Sequence, residues 1–265
     1  MRSRILFGIV IIVVLAIIFG IFFILKDKIG SGAKIKELTT LALSQEEKQD
    51  FLNAKISYQK LITDFPNSRD INTWQKKLDD LNIKIIYSNL ACLQTQNYEV
   101  KTGDSIYTIA KKFHTTPELI TKSNKLKNQT IYAGRKLRVW TVPFSIAVDK
   151  SQNTLILKAG DEIIKTYIVS TGTNNSTPVG TFKIKTKLVN PIWYKEGLVL
   201  KPGSPENILG TRWMGFDLPS YGIHGTTQPE SLGKQATQGC VRMANPEVEE
   251  LYDLIPLGTE VIIVD

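Results

Sequence analysis

Near the C-terminus the chain reads TQGCVRM, residues 237–243, and a short way upstream it reads YGIHGT, residues 221–226. Cys240 and His224 are residue types that together perform thiol acyl transfer. An ordinary thiol, with a pKa near about 8.5, is only a few per cent thiolate at neutral pH, and an adjacent imidazolium shifts it toward the reactive anion. The chain has two His and two Cys, and the other His, His114, belongs to a different segment, so His224 is the candidate base for Cys240. Gly239 allows a tight turn without a Cβ, so the N–H groups of Gly239 and Cys240 can converge on a developing oxyanion. Arg242 offers a planar fork suited to a substrate carboxylate. A bridge between Cys92 and Cys240 is the alternative, and it would leave no nucleophile, although one distant pair is no disulfide framework. Two His and two Cys in separate contexts suggest no metal site.

These residues need a scaffold. From Phe144 onward the chain runs FSIAVD, TLILK, IIKTYIVS, VGTFKIKTKLV and finally TEVIIV, separated by Gly, Pro, Asn and Asp clusters. That texture predicts a mainly-β domain over 142–265, a sandwich or partly closed barrel. One helix interrupts it late, with Asn245 as its cap, Pro246 at its first position, and Val248, Leu251, Tyr252 and Ile255 turned inward. STPVGTF (176–182), ILGTRWMGF (208–216), YGIHGT and TQGCVRM occur in the order and register of a known domain. The segment from about Phe144 to Val264 resembles the L,D-transpeptidase catalytic domain.

The resemblance implies an enzyme that cleaves before the terminal D-amino acid of a peptidoglycan tetrapeptide stem, holds the acyl group as a thioester, and passes it to an amine. It implies Cys240 as nucleophile, His224 as base and Gly239 as an oxyanion donor. Arg242, Trp213, Tyr221 and Thr237 become substrate-binding residues, and no cofactor is expected. Many members of the family have His before the Gly-Cys pair, where this chain has Gln238. Because Gly225 follows His224, the group orienting the imidazole is expected to be a backbone carbonyl. A hydrolase of the same acyl-enzyme, an L,D-carboxypeptidase, and a catalytically silent wall-binding scaffold are the alternatives.

Residues 98–140 form an earlier module. Asp104 or Ser105 can cap a helix lined by Ile106, Ile109, Ala110 and Phe113, and Thr116-Pro-Glu opens a second helix. Short apolar runs flank them, giving strand, helix, helix, strand. With Y-x-V-x2-G-D-S-I-x2-I-A-x3-F at its front and I-x2-G-x2-L-x-V at its back, residues 94–141 resemble a LysM domain. That implies a binder of N-acetylglucosamine-containing glycan through Gly103, Asp104, Ser105 and Ile106, although Gly and Asp here also suit a tight turn and a cap. The segment carries nine Lys or Arg against three Asp or Glu, which suits anionic wall polymers or headgroups, whereas no nucleic-acid motif is present.

Residues 28–93 read as helical. Phe51, Ala54, Tyr58, Leu61, Ile62 and Phe65 recur at three-and-four spacing, and Pro66 stops the run. The string from Ala54 to Ser68 resembles one helix of a tetratricopeptide repeat, where stacking normally needs about three, so a stalk and a protein-binding segment both stay open. Cys92, at its end, reads as a small buried apolar side chain. Residues 5–25, ILFGIVIIVVLAIIFGIFFIL, carry no charge and as a helix would measure roughly 31 Å, about one hydrocarbon core. Residues 1–27 are therefore expected to be an uncleaved single-pass anchor, with cleavage after Ala33 as the alternative. Flanking Lys and Arg do not decide its orientation. Peptidoglycan-directed modules place the bulk of the chain outside the cytoplasm.

Overall fold

The computed structural model describes residues 31–195 and 197–265. The predicted membrane-spanning stretch lies outside them, and among the described residues no helix is long and apolar enough to cross a membrane. The chain divides into two compact units, the first running to Leu81 and the second from Asn82 to Asp265.

In the first unit, helix α1 covers 31–47, α2 covers Phe51–Asp64 and α3 begins at Ile71. Asp50 caps α2, its carboxylate accepting from the Asn53 amide. The chain leaves the helix before Pro66, as a ring without an N–H requires. Ala42, Ala54, Tyr58, Leu61, Trp74, Leu78 and Leu81 form the core of this unit. Tyr58, Leu61 and Ala54 are the residues the three-and-four spacing places inward, while Ile62 and Phe65 pack at the edge.

The second unit holds the end of α3 at Tyr87 and two modules. The first is the expected strand, helix, helix, strand: β1 Thr95–Glu99, α4 Ile106–Lys112, α5 Pro117–Ser123 and β2 Lys136–Trp140, with β1 and β2 antiparallel. Ser105 caps α4 in a reciprocal box with Thr108, and Thr116 caps α5 with Pro117 in its first turn. Ile106, Ile109, Ala110, Ile120, Leu137 and Val139 fill the small core. Arg138 turns away from solvent to the end of α3, donating from Nε to Leu90 O at 2.7 Å, from Nη1 to Ile86 O at 2.9 Å and from Nη2 to Ile85 O at 3.2 Å. A cation is thus placed where the last carbonyls of a helix lack partners. Cys92 is half-buried rather than fully buried, and its sulfur accepts from the same guanidinium at 3.7 Å.

The second module is mainly β. Its main sheet has eight strands in the order β13-β11-β10-β7-β14-β3-β4-β5. In chain order these are β3 Phe144–Asp149, β4 Thr154–Ala159, β5 Glu162–Ile168, β7 Gly180–Val189, β10 Arg212–Phe216, β11 Gly222–His224, β13 Val241–Arg242 and β14 Glu260–Val264. Short pairs flank it: β6 Thr171–Gly172 with β12 Gln235–Thr237, and β8 Trp193–Lys195 with β9 Leu198–Leu200. β3 alternates buried and half-exposed side chains along its length, the period-2 pattern of a strand with one face on the core. Most pairs are antiparallel, but β14 lies parallel to β3, β13 parallel to β11 and β12 parallel to β6.

Helix α6, Asn245–Leu254, buries Val248, Leu251 and Leu254 against this sheet. The expectation that Asn245 caps α6 is corrected: Ala244 occupies the cap position, and the Asn245 amide bonds instead to Thr211 and Thr226. At its far end α6 meets the small module. The Thr116 hydroxyl donates to the Asp253 carbonyl, and Lys122 pairs with the Asp253 carboxylate. From β7, half-buried Lys187 donates to the Tyr252 and Ile255 carbonyls at 2.6 and 2.8 Å. Burial holds that ammonium down to about 8.

Candidate active site

Register across four strands assembles the site. Leu188 of β7 pairs with Trp213 of β10, Trp213 with His224 of β11, and His224 with Arg242 of β13. Side chains alternate faces along a strand, so the neighbouring row, Met214, Ile223 and Val241, falls on the opposite face. All three of those residues are fully buried in the core. The first row instead lines an open cleft of about 740 Å3. Cys240, one residue before β13, shares the Arg242 face and lines the same cleft, together with Tyr221, Thr237 and Gln238. His114, the other imidazole, lies in a separate hollow beside Pro143 and Pro256.

His224 is 3% exposed, and its ring lies near-parallel to the Trp213 indole with centroids 6.0 Å apart. Its Nδ1 lies 2.7 Å from the Gly225 carbonyl oxygen. A carbonyl only accepts, so Nδ1 carries the proton and Nε2 keeps its lone pair. The orienting group expected from the Gly at 225 is therefore that residue's own carbonyl. Burial pushes the imidazole down to about 4, opposed by the Gly225 hydrogen bond and reinforced by the Arg242 charge. Burial likewise pushes the Cys240 thiol up, opposed by a hydrogen bond from the Gly222 amide and by Arg242. The thiol donates to the Ser220 carbonyl at 3.4 Å. Both cysteines are free thiols, which removes the bridged alternative. Burial thus favours the neutral form of both groups, because an enclosed ring next to a guanidinium loses more solvation as a cation than its one carbonyl returns.

The loop before Cys240 is closed by Thr237. Its hydroxyl donates to the Cys240 carbonyl at 2.7 Å and accepts from the Gly239 N–H at 3.1 Å. Thr237 thus shapes the loop from within, and the Gly239 amide is already engaged. Gly239 has φ +129, a conformation that L side chains rarely adopt, and a Cβ there would stand 2.7 Å from the Tyr221 ring and 3.2 Å from the Ser176 carbonyl oxygen. Gly239→Ala is expected to lower stability by about 2 kcal/mol through backbone strain and overlap with Tyr221, measured by urea unfolding. Unchanged stability would show that the loop adapts freely.

Arg242 is 3% exposed. One nitrogen, Nη1, donates to Gln228 Oε1 at 3.1 Å and Ser231 Oγ at 2.9 Å, whereas the buried Nε has no partner. Its backbone pairs in both directions with Ser170, which fixes the strand that carries it. In the smaller module the Gly103 turn has φ +88, and Asp104 accepts from the Tyr98 hydroxyl and the Lys101 amide, each at 2.8 Å. The Lys101 amide first, then the Tyr98 hydroxyl, holds the Asp104 carboxyl below the usual carboxylate range. Ser105 caps α4 and Ile106 is 1% exposed, so at these two positions the turn-and-cap geometry is plain and the Ile106 side chain faces the core.

Six of the expected residues therefore meet at one cleft: Cys240, His224, Arg242, Trp213, Tyr221 and Thr237. Gly239 underlies Tyr221. Sequence reasoning did not anticipate the Ser220 carbonyl, the Gly222 amide or the part taken by Asn245. Backbone groups carry no residue signature, and Asn245 was visible only as a polar residue before a proline.

A family model described as the L,D-transpeptidase catalytic domain, YkuD, matches residues 143–263, and a LysM domain model matches residues 98–140. YqjB of Bacillus subtilis strain 168, named as an L,D-transpeptidase, is 42% identical over 126 residues, which is 45% of this chain and 70% of that protein. YkuD of the same organism, named likewise, is 33% identical over 173 residues, 63% of this chain and 97% of its own length. The chain belongs to the L,D-transpeptidase family, and it carries a LysM peptidoglycan-binding domain ahead of its mainly-β catalytic domain.

Proposed function

We propose that this chain is a membrane-anchored peptidoglycan L,D-transpeptidase with Cys240 as nucleophile and His224 as base. One observation carries the reading: thiol and imidazole line the same cleft on one face of the sheet, with Nδ1 bound to a carbonyl and Nε2 left to accept a proton. As the Cys240 sulfur attacks the carbonyl before the terminal D-amino acid of a tetrapeptide stem, His224 Nε2 takes the thiol proton. The tetrahedral oxyanion is held by the Cys240 N–H, with the Gly239 N–H joining when the Thr237 hydroxyl releases it. Collapse breaks the peptide bond, and His224 returns its proton to the departing D-amino acid amine. A thioester remains. An acceptor amine then attacks it, His224 takes the amine's proton, and the proton goes back to sulfur as the new amide leaves.

Arg242 binds a stem carboxylate, a role that suits a guanidinium lining the cleft whose bonds to Gln228 and Ser231 both come from Nη1. Trp213 and Tyr221 supply apolar walls on either side of the stem. The LysM domain holds wall glycan through the 103–106 turn and raises the local substrate concentration. Residues 5–25 anchor the chain, the catalytic domain faces the wall, and the helices behind the anchor act as a stalk.

The test is mass spectrometry of products after the full chain is incubated with disaccharide-tetrapeptide. A crosslinked dimer formed with loss of the terminal D-amino acid supports transfer. Tripeptide alone indicates the carboxypeptidase, and no product from a folded protein that still binds peptidoglycan indicates the scaffold.

A further inference from the structure

The Gly225 carbonyl that holds His224 belongs to the same peptide unit as the Thr226 N–H. That N–H donates to Asn245 Oδ1 at 3.0 Å, while the carbonyl accepts from His224 Nδ1 at 2.7 Å. A peptide unit is planar, so holding its N–H fixes the direction of its C=O. Asn245 is itself fixed by two further bonds: Oδ1 also accepts from the Thr211 N–H at 3.2 Å, and Nδ2 donates to the carbonyl of the following peptide, Thr226 O, at 2.8 Å. Gly210 and Gly225 press so closely on Oδ1 that a Cβ at either would overlap it. The remaining backbone groups nearby are also engaged, Gly225 N–H with Arg212 O and His224 O with Met243 N–H.

We propose that Asn245 is the positioning residue for His224, acting through the Gly225–Thr226 peptide to set the ring's tautomer and rotation. The arrangement is Cys240, His224, one peptide, Asn245. Thiol enzymes of other folds set an amide directly against the imidazole; here the amide acts one peptide removed. Because Asn is neutral, it orients the ring without adding a charge to an enclosed pocket whose charged neighbour is Arg242. Its own position is set by α6, which Lys187 and Lys122 hold at the other end.

The catalytic consequence rests on the reading of His224 as base, so the test includes a readout that does not. In full-length protein carrying His114→Gln, nitrogen-15 NMR observes the His224 imidazole alone. The parent is expected to show a single neutral ring protonated at Nδ1; Asn245→Asp keeps the Oδ1 acceptor, so Nδ1 stays protonated, while the added carboxylate raises the pKa of the ring. Asn245→Ala is expected to show both tautomers in exchange, with kcat lower by about 10- to 100-fold and KM within about twofold. A parent-like ring in folded Asn245→Ala overturns the proposal. So does loss of the Nδ1-protonated signature in folded Asn245→Asp, which keeps the idea at risk if the Ala variant fails to fold. A ring that responds as expected in a protein without transferase activity supports the positioning role and removes the proposed function instead.

Discussion

Cys240→Ala is expected to abolish thioester formation and to lower product formation by four or more orders of magnitude. Losses of that size follow when the nucleophile of a base-assisted acyl transfer is removed, because oxyanion donors and binding then act on water alone. Intact-protein mass spectrometry is the direct check: the parent gains the mass of the tripeptide acyl group, and the variant gains nothing. The fold should survive, since Cys240 is half-buried and its sulfur makes only a long contact to the Ser220 carbonyl and one to the Gly222 amide. A persisting acyl adduct in Cys240→Ala would move the nucleophile elsewhere. Cys92 is then the only other thiol, and it sits against Arg138 rather than in the cleft.

The second large effect concerns His224. Removing the base in His224→Asn is expected to lower kcat/KM by about 10²- to 10⁴-fold. Its pH dependence is more diagnostic. With the imidazole held at about 4 by burial, Nε2 keeps its lone pair through the range where an ordinary imidazole protonates. The acid limb of kcat/KM should therefore fall near pH 4 rather than near 6.5. Stability follows the same group with a definite sign. Unfolding returns the ring to its ordinary pKa, so below about pH 6.5 the unfolded chain binds a proton that the folded chain refuses. Stability attributable to His224 is complete above pH 6.5 and declines by about 3 kcal/mol as the pH falls to about 4, below which this group adds no further loss. Urea unfolding between pH 4 and 7 measures that slope, and His224→Asn should flatten it. An acid limb near 6.5 in the parent would mean that the ring is solvated in the working enzyme.

Much of the site could be read from motifs. A Cys beside a Gly, one available His, and an Arg two residues on are weak evidence for thiol chemistry by spacing alone, and it is the resemblance of four motifs in order to the L,D-transpeptidase catalytic domain that points to them as a site. The five longer β runs were also visible, since FSIAVD and TLILK are long enough to show β-branched and apolar enrichment. The strands that carry the site were not. β11 and β13 contain three and two residues, too short for any periodicity, and were visible only within motifs that resemble a family pattern.

What the amino-acid sequence by itself determined is therefore the chemistry available and the order of the modules: a thiol, an imidazole and a guanidinium behind a small strand-helix-helix-strand domain. Tertiary structure alone decided that these three side chains share a face, because register between β10, β11 and β13 depends on strands distant in the chain. It also decided that burial favours the neutral thiol and imidazole, because desolvation depends on what encloses a group and not on its neighbours in sequence. Asn245 shows the same division. Its type and place before Pro246 suited a helix cap, yet the fold brought the 211 and 226 loops within reach of its amide, and three hydrogen bonds to fixed backbone groups outweighed the one a cap would make.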